Sequence, residues 1–373
     1  MFQLFHKLKQ TRRRQQWLIG GGLLGLATLV LTVSAWASYR YFNNLSQNAL
    51  IIEELDPDMG SDFEWQLDQE INANDNADQL TVMLVGYGGP GHQGGFLADA
   101  IQLAHIDLIK QQITFISIPR DLYLTDSRQQ GAKINALLAA GMRQGAGVDG
   151  GLELMRQNLS YITGLAIQHY VGVDFVGFKR SIGYELKGIE VDVAQTLDDR
   201  WYPIDGAQLD PCGYSDAEIA DLTARYSGFA LESKFECRYE RIHFPVGKHL
   251  MQGHEALAYV RSRHSSSDYD RSRRQVELMT AIKNKLFELE TIKYLPRFYE
   301  AMTKHVQVDF DLAAAKQIAK LLISAENFTI NNVTISPENV LQSSKASNGA
   351  FILIPKAGMN NWQQLQQYIA NQI

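Results

Sequence analysis

Residues Leu80–Gly86 read LTVMLVG, a short apolar run closed by glycine. A run of that length and composition predicts a buried strand. Ala100–Ile106 and Ile113–Ile118 predict two more. Downstream, Asn135–Gly145 and Gly150–Thr163 carry apolar residues at helical spacing: Leu137, Leu138 and Met142, then Leu152, Met155, Leu159 and Ile162. His169–Val173 predicts a strand, Phe175–Ile182 a short helix and Ile189–Val193 a strand. Residues 196–246 are polar and aromatic with weak periodicity, and predict an irregular excursion. Helical pattern returns at Gly253–Val260 and Ser272–Leu289, with further helices predicted over 293–305 and 311–324. The tail from Phe328 reads as strand, loop, strand (Phe351–Ile354) and a final helix (Trp362–Ala370). Strands alternating with helices predict an α/β layered sheet.

The region before Leu80 has a different character. Leu18–Ala37 carries no charge, and at 1.5 Å per residue it spans roughly 30 Å, the thickness of a hydrocarbon core. Five Lys/Arg precede it and only Arg40 follows closely, which places the N-terminus in the cytoplasm. Residues 18–38 are therefore read as a transmembrane helix behind a basic tail, 1–17. A cleaved signal peptide is the alternative, because Ala35-Trp36-Ala37 fits a small-x-small cleavage site. Either reading exports the remainder. Residues 39–79 are acidic and rich in Asn, Asp and Gln, and read as a stalk. The main domain is then 80–327, with 328–373 as a C-terminal strand and helix extension.

Of the 373 residues, 45% are apolar and 20% charged, which supports a packed core and excludes global disorder. Away from the basic tail the chain has no broad basic surface, so no nucleic-acid partner is expected. Cys212 and Cys237 are the two cysteines, and outside the cytoplasm such a pair is expected to be bridged.

Arg261–Gln275, RSRHSSSDYDRSRRQ, holds the densest chemistry, with five arginines in fourteen positions. Guanidinium keeps its charge and its planar fork matches phosphate oxygens. Arg261 and Arg263 share a face if extended, and Arg271 and Arg274 share one if helical; Asp268 and Asp270 could orient them. A solvated, charged helix start is the plainer reading of the same run. Ser117-Ile118-Pro119-Arg120-Asp121 follows a predicted strand directly, where catalytic loops of α/β proteins lie. Asp99, beginning the second strand, is a candidate Mg²⁺ ligand or a simple turn cap. Gly86–Gly95, GYGGPGHQGG, lets backbone N–H groups approach an anion, and His92 within it could touch phosphate or metal. Lys133 could add a point charge, and Asn135 could cap the helix that follows.

Taken in order, these segments resemble the LytR–CpsA–Psr family. The matching pieces are Leu84–Gly88, Ala98-Asp99-Ala100, Ser117–Asp121, Lys133-Ile134-Asn135, Val173-Asp174-Phe175, Gly253–Arg263 and Asp268–Gln275. The resemblance implies a three-layer α/β/α domain with a central mixed sheet. It implies an enzyme that moves a glycan from a polyprenyl-pyrophosphate carrier to peptidoglycan or another wall polymer. Arg120, Lys133, Arg261, Arg263, Arg271 and Gln275 would hold the pyrophosphate; Arg120, Asp121, Arg261 and Arg263 would carry the catalysis. Mg²⁺ would be held by Asp99, with Asp121 or His92 as further ligands. One departure stands out: Gly88 occupies a position where the family commonly carries aspartate. An isoprenoid tail would lie in an apolar groove, for which Leu138, Met142, Leu152, Phe175, Phe178 and Ile182 are candidates, although for any one of them ordinary core is the plainer reading. Two other functions compete: a non-catalytic module binding anionic wall polymer or lipid headgroups, and a polyprenyl-pyrophosphate hydrolase.

Overall fold

A computed structural model describes residues 78–92, 94–126, 131–262, 268–288, 295–316, 318 and 328–373. The basic tail, the 18–38 segment, all but the last two residues of the 39–79 stalk, Arg263, and much of the helix expected over 311–324 lie outside them. Among the described residues, no helix is long and apolar enough to cross a membrane.

The chain order is β1 (Gln79–Tyr87), β2 (Ala98–Asp107), β3 (Gln112–Ser117), β4 (Tyr123–Thr125), β5 (Gly131–Lys133), α1 (Leu137–Gly141), α2 (Gly147–Thr163), β6 (His169–Asp174), α3 (Phe175–Arg180), β7 (Ile189–Val193) and β8 (Leu197–Pro203). There follow α4 (Asp216–Arg225), β9 (Tyr239–Phe244), β10 (Gly247–Met251), α5 (Gly253–Arg261), α6 (Asp268–Glu288), α7 (Leu295–Met302), β11 (Val306–Val308), β12 (Thr329–Thr334), β13 (Leu341–Lys345), β14 (Phe351–Pro355) and α8 (Gln363–Ala370).

The central sheet has six strands in the order β11-β6-β1-β2-β3-β12. Strands β1, β3, β6 and β12 run together; β2 and β11 run against them. The sheet is therefore mixed, as expected. Its inner strands β1, β2 and β3 are largely apolar because both faces are covered. On one face Ile106, Ile113 and Phe115 pack with Leu80, Leu84 and Ala104 under Val276 and Met279 of α6. On the other, α2 lies so close to β6 that a Cβ at Gly172 would stand 2.5 Å from Leu152 Cδ1. Helices thus occupy both sides of the sheet.

The β1–β2 register slips by one residue between Gly86 and Tyr87: Gly86 faces Ala100 while Tyr87 faces Ala98. Asp99 is the extra residue of this bulge. Bulges re-aim a side chain that regular pleating would bury or pair.

Residues 196–246 correct the expectation of an irregular excursion. Their base is a two-stranded antiparallel ribbon, β8 with β9, and a turn-and-helix arm including α4 projects from it. No residue of α4 is buried; its N-terminus is closed by a capping box between Ser215 and Glu218. Cys212 and Cys237 are bridged across the arm's base, with Cα atoms 5.6 Å apart, the pairing the sequence predicts. The tail from Phe328 joins the main structure: β12 pairs with β3, and α8 reaches α2 where Gln366 Nε2 donates to the Tyr161 carbonyl at 2.9 Å.

Candidate functional site

Four strands deliver their carboxyl ends to one edge of the sheet, together with the start of β2. That shared edge follows from the strand directions alone. It carries the glycine-rich loop after β1, Asp99 at the start of β2, Arg120 and Asp121 after β3, and Asp174 and Phe175 after β6. Edges of this kind are where α/β sheets place ligands.

One group of charges is knit together there. Arg120 Nη1 donates to Asp99 Oδ1 at 2.8 Å, and Arg120 Nε stands 3.8 Å from Asp121 Oδ2. Lys133 Nζ donates to Asp121 Oδ1 at 2.6 Å. Arg120 Nε is buried and makes no hydrogen bond among the described residues. The main chain fixes this loop from several directions. Ile335 N donates to the Ser117 carbonyl at 3.1 Å and Leu353 N to the Asp121 carbonyl at 2.9 Å, so the C-terminal extension braces both ends of the segment. Ile134 N donates to the Leu122 carbonyl at 2.7 Å, which seats Lys133 beside Asp121. Asn135 does not cap the helix: it is buried inside a 3₁₀ turn, Ile134–Ala136, whose N-cap position is Lys133.

A second group surrounds Arg261. This arginine is the last residue of α5, and the chain leaves helical geometry at Ser262 (φ −51, ψ 135); its expected extended partner Arg263 lies outside the described residues. Its guanidinium carbon lies 3.9 Å over the Phe175 ring centroid, and Nη1 donates to Tyr202 Oη at 3.3 Å. Burial raises the Tyr202 phenol above its ordinary pKa, with Arg261 opposing, so the hydroxyl stays protonated at neutral pH. Phe175 also meets His92 edge-on, ring centroids 5.0 Å apart. His92 Nε2 stands 3.9 Å from Asp205 Oδ1, and Lys179 Nζ donates to Asp205 Oδ2 at 2.7 Å. Burial pushes the Asp205 carboxyl up, but the Lys179 hydrogen bond and the charges of Lys179, Arg261 and His92 hold it below its ordinary value.

The remaining expected residues sort as follows. Gln275, on α6, accepts from Gln102 Nε2 at 3.3 Å, and the same nitrogen donates to Ser117 Oγ at 3.2 Å. Gln275 thus ties α6 to the start of the Ser117–Asp121 segment. Arg271 is half-buried on α6. Arg274, three positions after Arg271 and one before Gln275, is only 1% exposed. Leu138 and Leu152 are fully buried and Met142 and Ile182 nearly so, which makes them core. The sequence reading missed Tyr202, Lys179 and Asp205. Tyr202 and Asp205 lie in a segment with no periodic signal, Lys179 lies on a predicted helix where nothing singled it out, and the three acquire their place only when β8 packs beside α3 and α5.

Mg²⁺ is the cofactor that the resemblance implies, and the donor set does not fit a protein-held ion. Asp99 has one oxygen committed to Arg120, and Asp121 is paired with Lys133. Gly88 offers no donor, and His92 is turned toward Asp205. Among the described residues, the single group of three ligand-type side chains within reach of one another is Asp210, Cys212 and Cys237, whose sulfurs are spent in the disulfide.

A mixed six-stranded α/β sheet with cationic side chains gathered at its carboxyl edge defines the class. The chain belongs to the LytR_cpsA_psr family, whose model matches residues 41–367. Among curated relatives, "Regulatory protein MsrR" of Staphylococcus aureus is 22% identical over 288 residues, 73% of each chain. "Polyisoprenyl-teichoic acid--peptidoglycan teichoic acid transferase TagV" of Bacillus subtilis is 25% identical over 255 residues, 67% of this chain and 54% of that protein. The crystal structure of B. subtilis TagV superposes with a TM-score of 0.54 at 20% identity, covering 79% of this chain and 96% of that one. The likeness of fold is thereby established.

Proposed function

We propose that this chain is an extracytoplasmic, membrane-anchored phosphotransferase. It takes a glycan from a polyprenyl-pyrophosphate carrier and joins it, as a glycosyl phosphate, to a hydroxyl of peptidoglycan or another wall polymer. Family membership and the teichoic acid transferase activity named for TagV support the reaction class. The observation that carries it in this molecule is the Arg120 cluster, with Arg120 held between Asp99 and Asp121 and Lys133 beside it, on the edge where such sheets bind ligands.

The chemistry asks for two things: neutralisation of the leaving phosphate and alignment of the attacking hydroxyl. Arg120, Lys133 and Arg261 supply fixed positive charge, with Arg263 and Arg271 as further donors. The acceptor oxygen attacks the phosphorus that bears the glycan. The bond to the bridging oxygen breaks, and polyprenyl monophosphate leaves. Asp121 takes the hydroxyl proton. The exported position places the site among wall acceptors, and the anchor keeps it beside the lipid carrier.

The test incubates the full chain in detergent with a short-chain polyprenyl-pyrophosphate glycan and peptidoglycan. Glycan covalently attached to peptidoglycan, with one polyprenyl monophosphate released per transfer, is the expected result. Release of free glycosyl phosphate with no attachment would make the protein a hydrolase. Retention of the lipid with neither product would make it a binding module.

A further inference from the structure

We propose that this site neutralises its pyrophosphate with tethered side-chain cations and needs no protein-held divalent ion. The inference rests on the function proposed above. Gly88 is where a second carboxylate would stand, and the loop is packed tightly around it. A Cβ there would lie 3.0 Å from His92 Cβ and 3.1 Å from Gly95 Cα. The loop cannot easily yield, because it is folded on itself: Gly89 N donates to the Gly95 carbonyl at 2.8 Å and Gly95 N to the His92 carbonyl at 2.7 Å. Gly95 is equally constrained, since a Cβ on it would stand 2.0 Å from the Gly89 carbonyl oxygen. A side chain at Gly88 would thus press on a loop that its own hydrogen bonds hold closed.

Neither His92 nor Asp121 replaces it, and the nearby Asp174 is engaged as a helix cap, its Oδ1 accepting from Gly177 N at 2.6 Å. His92 rests edge-on against Phe175 and faces Asp205, and a nitrogen ligand suits Mg²⁺ poorly, because that ion selects oxygen. Asp121 is held by the Lys133 ammonium, which a metal would have to displace. What stands in the metal's place is positive charge of the chain's own. Arg120 and Lys133 carry two positive charges, offset in this structure by Asp99 and Asp121, so what they offer a phosphate is aimed donors and not a net charge of two. Each is aimed by a carboxylate, Asp99 and Asp121 respectively; Ile335 and Leu353 brace the segment carrying Arg120, and the Ile134 N–H to the Leu122 carbonyl seats Lys133. Charges held this way need no reorganisation when the phosphate arrives.

The experiment measures binding of geranylgeranyl pyrophosphate to the full chain in detergent by calorimetry, once in EDTA and once in excess MgCl₂, with Mn²⁺ paramagnetic resonance as a direct count of bound ion. The expected result is equal affinity in the two conditions and no tight Mn²⁺ site. Lys133→Met is expected to weaken binding by about tenfold or more, since it removes a charge-assisted contact. Lys133→Arg, which keeps the charge, is expected to restore most of it and shows that the loss in Lys133→Met is not misfolding. Binding that disappears in EDTA and returns with Mg²⁺, or a tight Mn²⁺ site, overturns the inference while leaving the transferase reading intact. Absence of binding in both conditions overturns the transferase reading itself, and the inference with it.

Discussion

The Arg274 guanidinium, almost completely buried, donates through Nη2 to the main-chain oxygen of Ser262 at 2.6 Å. Ser262 in turn donates from Oγ to the buried Asp199 at 2.6 Å. These bonds fix the chain immediately after Arg261, so α6 and β8 jointly set where the Arg261 guanidinium emerges. Arg274 is a positioning residue. Arg274→Met removes a charged hydrogen bond to a buried carbonyl, which costs on the order of 1.5–3 kcal/mol. Urea unfolding should show that loss. Lipid binding should weaken with it, while Arg274→Lys should recover stability more than binding, because only the planar fork reproduces the contact.

Phe175 and Tyr202 hold Arg261 from two directions. A stacked guanidinium is worth about 0.5–2 kcal/mol depending on its desolvation. Phe175→Leu should therefore lower the transfer rate several-fold and raise KM less, since Arg261 keeps its charge but loses its orientation. Steady-state kinetics on the detergent-solubilised chain decides this. An unchanged kcat with a raised KM would reduce Phe175 to an ordinary packing residue.

His105 lies buried in β2, with Nδ1 2.9 Å from Thr81 Oγ1. Burial lowers its pKa below the ordinary 6.5; Asp107 opposes that shift and Lys110 adds to it. The unfolded chain therefore binds a proton that the folded chain resists, and stability falls as pH drops below about 6.5. Denaturant titrations at about pH 7.5 and about pH 5 should show a larger loss for the wild type than for His105→Gln. Parallel losses would remove His105 from the pH response.

The Cys212–Cys237 bridge closes the arm that carries α4, an element with no buried residue of its own. On the chain-entropy model a loop of this size gains about 3–4 kcal/mol from the bridge. Because the arm has almost no core, reduction should act locally. Hydrogen exchange of Asp216–Arg225 should accelerate toward that of a free helix, while β1, β2 and β3 stay protected. Loss of protection in those central strands would show that the bridge supports the whole domain.

The centre of the sheet was legible in the sequence because β1, β2, β3 and β6 are covered by helices and read as short, largely apolar runs. Strand β8 was not. It reads LDDRWYP, and its inward Asp199 looks like a surface residue until Ser262 and the Trp201 N–H are seen to satisfy it. Short polar edges such as β11 and β13 carry no period to find. In the site, Asp99, Arg120, Asp121, Lys133 and Gln275 stood out because they end or begin elements that can be read locally. Tyr202, Lys179, Asp205 and the bracing Ile335 and Leu353 did not, because their positions depend on contacts across long sequence separations. The transmembrane reading of residues 18–38 and the placement of Arg263 lie outside the described residues.

The central claim is that fixed guanidinium geometry at the sheet edge, not net positive charge, drives transfer. Arg120→Lys keeps the charge and removes the fork that engages Asp99. Single-turnover transfer from a polyprenyl-pyrophosphate glycan to peptidoglycan, with each protein saturated by lipid substrate, compares the two directly. Losing one preorganised donor costs on the order of 10²–10³ in rate, and a drop of that size in Arg120→Lys is the predicted result. Equal single-turnover rates, with only the binding constant changed, would contradict the account and leave Arg120 as a binding residue alone.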